Sequence, residues 1–62
     1  MPIQQQVQDC INTCTQLANE IRSVANGVQE QRSRYMLTEA AGHVEICIDT
    51  CNQAQQPIQR PV

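Results

Sequence analysis

Apolar residues fall at Ile3, Val7, Cys10, Cys14, Leu17, Ile21, Val24 and Val28, in steps of four and three that alternate without a miss. Such spacing marks the a/d seam of a helix that packs lengthwise against another helix. A second run reads Leu37, Ala40, Val44, Cys47, Cys51, Ala54 and Ile58, again in threes and fours. Pro2 precedes the first run, where a missing N–H costs nothing, and Pro57 and Pro61 are expected to end the second. Between the runs, Asn26-Gly27 and the polar stretch from Gln29 to Ser33 read as a loop. Gly27 is the expected residue after the first helix, and Ser33 or Thr38 the expected N-cap of the next. The pattern predicts an all-α fold, an antiparallel two-helix hairpin over about residues 3–28 and 34–56, in one domain spanning 1–62.

The two runs mirror each other about the peptide between Glu30 and Gln31. Folded there, Ile3 faces Ile58, Val7 faces Ala54, Leu17 faces Val44, Ile21 faces Ala40 and Val24 faces Leu37. A helical hairpin gives this correspondence automatically. On one flank of the seam the same folding sets Ile11 beside Ile48 and Ala18 beside Ala41. On the other it sets Thr13 beside Thr50 and Glu20 beside His43. The apolar stripe is therefore a, d and e, wider than two helices alone require. Ile11, Ala18, Ala41 and Ile48 are the expected interface for a second hairpin, which would complete a four-helix bundle as a homodimer.

Size makes such support necessary. A chain of 62 residues whose only aromatic is Tyr35 buries little surface, and its balance against chain entropy falls near zero. A disulfide, a metal or a second copy would supply the missing stability. The four cations, Arg22, Arg32, Arg34 and Arg60, are dispersed and the net charge is −2, which argues against a nucleic-acid partner. No apolar run approaches a membrane span. No secretory h-region follows Met1, which predicts a cytoplasmic chain, or an oxidising compartment if disulfides are present. Two short helices offer no catalytic pocket, so a non-enzymatic role is expected.

One segment recurs. Cys10-Ile11-Asn12-Thr13-Cys14-Thr15-Gln16 matches Cys47-Ile48-Asp49-Thr50-Cys51-Asn52-Gln53 at five of seven positions. Each C-x-x-x-C puts two sulfurs one turn apart on one helix face. Antiparallel pairing then sets Cys10 opposite Cys51 and Cys14 opposite Cys47, gathering four sulfurs in two adjacent layers. Three chemistries fit. The thiolates of Cys10, Cys14, Cys47 and Cys51 could ligate a soft metal, Cu(I) or Zn. Cys10–Cys51 and Cys14–Cys47 could be disulfides that staple a structural or interaction module without metal. The thiols could also serve only as small apolar core residues. His43, one turn before Cys47, reads as the partner of Glu20 and not as a fifth ligand, and Tyr35, Met36 and Leu37 read as a plug over the loop end.

The two C-x-x-x-C helices, Asp9-Cys10-Ile11-Asn12-Thr13-Cys14 and Glu45-Ile46-Cys47-Ile48-Asp49-Thr50-Cys51, resemble those of the cysteine-rich four-helix-bundle copper storage proteins. That resemblance implies Cu(I) held by Cys10, Cys14, Cys47 and Cys51. It covers about a quarter of the chain, which has half the length and far fewer cysteines than that family. The overall layout, with Gln29-Glu30-Gln31 and Ala40-Ala41, is similar to a family of short helical-hairpin proteins of unknown function from spore-forming bacteria, which implies no activity.

Overall fold

A computed structural model describes residues 2–59, with side chains described for 2–57. Two helices, α1 (Ile3–Gly27) and α2 (Gln31–Gln59), pack against each other as a hairpin. Cross-strut contacts from Gln8 to Gln55 near the open end and from Arg22 to Glu45 nearer the loop make the pair antiparallel. The predicted fold class stands.

The connection is shorter than the sequence suggested. Only Val28, Gln29 and Glu30 lie between the two helices. Neither Ser33 nor Thr38 is the cap of α2. Glu30 takes that role, its carboxylate accepting the backbone N–H groups of Arg32 and Ser33, each at 2.9 Å. Ser33 stands three residues into the helix and donates its hydroxyl to the same carboxylate at 2.5 Å. These bonds satisfy donors that a helix start otherwise leaves open, and they hold Glu30 below the usual carboxylate range, the Ser33 hydroxyl contributing most. Gly27 does not adopt the left-handed conformation expected of it. α1 stops at an extended Val28 whose N–H bonds to the Ala25 carbonyl. At the far end Pro57 does not end α2; it sits in the last turn, where only one intrahelical bond, to the Gln53 carbonyl, is forfeited. The expected stop at Pro61, and the packing of Ile58 against Ile3, lie outside the residues and side chains described.

The seam runs one position away from the one expected. In α1 Ile11, Ala18 and Ala25 are buried, with Val7, Cys14 and Ile21 half-buried between them. In α2 Ala41 is fully buried and Gln55 buried, with Leu37, Val44, Ile48 and Cys51 half-buried. Both stripes are the a and e positions of the heptad, and they mirror each other about Gln31. All d positions but the half-buried Ala40 turn outward: Ile3, Cys10, Leu17 and Val24 in α1 are exposed, as are Cys47 and Ala54 in α2. Ile11, Ala18, Ala41 and Ile48, expected to wait for a second copy, are thus the inner face of the single hairpin. Side-chain size explains the choice. Alanine at 18, 25 and 41 lets the helix axes come close, and interaxial distance follows the residues at the contact. Close approach along a and e then leaves the longer Leu17 and Val24 no room inside.

Other expectations at the edges also change. His43 lies 3.9 Å from Glu39 on its own helix, and Glu20 accepts a bond from Gln16 instead of pairing with His43. Tyr35 and Met36 are exposed, so only Leu37 closes the loop end. The buried amide of Gln55 donates to Gln8 at 3.2 Å and occupies the layer expected to hold Ala54. Four threonines, at 13, 15, 38 and 50, bond back to the carbonyl one turn earlier, which lets these β-branched residues sit within helices.

Candidate functional site

The heptad places the cysteines in two environments. Cys14 and Cys51 hold a positions and are half-buried in the seam; Cys10 and Cys47 hold d positions and are exposed on one side of it. All four are free thiols. Antiparallel packing keeps the d positions of both helices on the same broad face, so Cys10 and Cys47 lie outside the seam that was expected to hold all four, beside the half-buried Cys14 and Cys51.

Cys47 is the hub of the group. Cys14, across the seam, and Cys51, one turn along, both lie near enough to its sulfur for Cys47 to raise their thiols. Partial burial pushes the Cys14 and Cys51 thiols above the usual 9.0, and the nearby sulfurs, Cys47 first, add to that effect. The physical reason is that ionising either thiol would set a thiolate at the edge of an apolar seam beside sulfurs that can also ionise. Cys10 belongs to the same electrostatic group, contributing to both shifts.

The cluster is assembled but not closed around a point. Among the described residues no three Cys, His, Asp or Glu side chains converge as a ready-made metal site. The donor chemistry nonetheless suits a thiophilic ion: four sulfurs within two helical layers, and no competing cation among them. A shallow groove beside the cluster is lined by Asp9, Cys10, Thr13 and Cys14, and gives solvent a route to the α1 pair. Asp9, named in the sequence only as the residue before Cys10, was given no role at the site. His43 is exposed and directed to Glu39, away from any role as a ligand.

The opposite face of the hairpin has another character. There Arg22 grips Glu45 with two bonds, at 2.9 and 2.6 Å, and this pairing holds Glu45 below the usual carboxylate range. Both side chains are close to half exposed, so the pair aligns the helices more than it stabilises them. No helix among the described residues is long and apolar enough to cross a membrane. Compared with protein-family models, curated proteins and solved structures, the chain matches none.

Proposed function

We propose that this protein is a thiolate metal-binding module, not an enzyme, in which Cys10, Cys14, Cys47 and Cys51 hold a soft ion, Cu(I) or Zn, and in which hairpins pair into a four-helix bundle. The observation that carries the reading is the nearness of Cys14 and Cys51 to Cys47, with Cys10 in the same electrostatic group. Two C-x-x-x-C segments from distant parts of the chain come near each other there, and sulfur is the metal-ligating chemistry they share. Soft thiolates favour Cu(I) and Zn over hard cations. Cu(I) makes the smaller demand, since it is satisfied by two or three sulfurs, whereas Zn takes four ligands in a tetrahedron. Each thiol that becomes a ligand gives up its proton to solvent, so binding strengthens as pH rises.

An anaerobic titration of the reduced chain with Cu(I), against a chelator of known affinity, tests this. The expected result is a sulfur-to-copper charge-transfer band that saturates at a fixed ratio and is abolished when all four cysteines become serine. A chain that never competes with the chelator contradicts the reading. The disulfide alternative has its own support in the Cys14–Cys47 contact, and mild oxidation that yields Cys14–Cys47 and Cys10–Cys51 in cells would favour it.

A further inference from the structure

Three features of the molecule are left unused by a single hairpin with its own metal site. Leu17, Val24 and Ile3 keep 45%, 56% and 61% of their surface in water, spaced by sevens along one line of α1. Cys10 lies on that line, and Cys47 and Ala54 lie on the matching line of α2. The hairpin is also a single layer, with Cα extents of 50 × 17 × 10 Å, so it has an inner seam but no covered face.

A layer of helices normally buries one broad face against another layer. The two faces here are not equivalent candidates. One carries the Arg22–Glu45 pair, Thr15 and Gln8; the other carries the outward d positions and the two exposed cysteines. A 50 × 17 Å face offers on the order of 850 Å², close to the roughly 800 Å² that each partner contributes to a stable interface. The chain's own heptad supplies complementary residues, since a two-fold axis sets the same patch on both sides. Cys14 and Cys47 sit near the middle of their helices, Ile3–Gly27 and Gln31–Gln59, with Cys10 and Cys51 one turn nearer the open end. Stacking over the centre of this face therefore brings cysteines to cysteines.

We propose that a second copy of this chain docks on the face carrying Leu17, Val24, Cys10 and Cys47, and that the metal site is shared between the two copies. The inference rests on the metal-binding reading above and adds to it where the ion sits. Cys14 and Cys51 anchor the site from within each seam, while Cys10 and Cys47 of each copy reach across the interface. Dimer formation and metal binding are then one linked equilibrium: the ion tightens the dimer, and the dimer tightens the ion. Each metal displaces one proton from every thiol it engages, with no change in the oxidation state of sulfur.

Sedimentation of the full reduced chain, with and without anaerobically supplied Cu(I), together with chelator competition on the same samples, tests the proposal. The wild type should be a dimer whose dissociation is suppressed by Cu(I). Leu17→Glu and, separately, Val24→Glu should give helical monomers that hold Cu(I) at least tenfold more weakly. Asn19→Glu, an exposed position away from this face, should change neither. Charged variants that become monomers yet keep wild-type Cu(I) affinity overturn the sharing and leave the single-hairpin reading intact, as does a loaded wild type that stays monomeric. No Cu(I) uptake by the wild type overturns both. Should the charged variants lose their helicity, dilution of the wild type decides: affinity per chain falls with concentration for a shared site and is constant for a private one.

Discussion

Cys47 neighbours Cys14 across the seam and Cys51 one turn away, and it raises both of those thiols. The four cysteines are consequently unequal, a distinction the repeat itself conceals. Cys47→Ser removes the shared neighbour of two thiols, whereas Cys10→Ser removes an exposed thiol that acts on them more weakly. Cu(I) affinity, measured by chelator competition, should fall at least tenfold further for Cys47→Ser than for Cys10→Ser. Equal losses would show that the four sulfurs act as an unstructured pool.

The inner seam predicts which apolar residues carry folding. Ile11 is 6% exposed, so Ile11→Ala should cost about 2–4 kcal/mol, enough to unfold so small a domain or nearly so. Leu17→Ala, in a sample dilute enough to be monomeric, should cost well under half as much. Thermal melts followed by far-UV circular dichroism compare the two. A reversed order would return the seam to the a and d positions.

Gly42 offers the opposite kind of test. It lies inside α2, its φ is not positive, and an added Cβ meets nothing within 4 Å. Gly42→Ala should therefore stabilise the hairpin by about 0.5–1 kcal/mol, read as a higher melting temperature. A lower one would mean that the neighbouring helix comes closer to Gly42 than described.

Much of the fold was legible because hydrophobic period and mirror symmetry report on it directly. Two helices and their antiparallel pairing follow from spacing. The choice between a/d and a/e was not legible, because both stripes are apolar and period alone ranks them equally. It was decided by volume: Ala18, Ala25 and Ala41 permit close approach where Leu17 and Val24 do not. Glu30 as the cap was missed because a serine three residues later looked the better candidate. In the folded chain that serine serves the glutamate. Gln55 was missed because a polar residue in a seam leaves no hydrophobic signal, and its partner Gln8 is far away in sequence.

Acid should loosen the start of α2 and the strut between the helices. Glu30 and Glu45 are held below their ordinary 4.5 in the folded chain, by Ser33 and Arg22 respectively. A depressed carboxylate stabilises the fold above its unfolded value and loses that contribution as pH falls through its folded value. Melting temperature should thus decline as pH drops below about 4.5, and Glu30→Gln should flatten the decline. At neutral pH Glu30→Ala should lower the melting temperature by about 5 °C. A melting temperature indifferent to acid would remove Glu30 as the cap.

Alkali should act on the thiols in the other sense. Cys14 and Cys51 are raised above 9.0 in the reduced, metal-free fold, first by burial and then by Cys47. A raised value stabilises the fold below the unfolded pKa and is lost as pH climbs through the folded one. Stability of the metal-free chain should therefore decline above about pH 9, and the Cys14→Ser, Cys51→Ser double variant should not share that decline. With Cu(I) present the trend should reverse over the same range, since the ion replaces the protons that the alkaline solution removes.

The intact mass of the protein, taken from its cells without chelator or added oxidant and read under native and then denaturing conditions, tests the metal-binding claim most directly. The expected native species carries one or more copper or zinc atoms, and acid denaturation releases a chain whose four cysteines are reduced and reprotonated. A native species without metal, lighter by the hydrogens of four thiols and restored by reductant, would contradict the claim and make the cysteines a pair of staples.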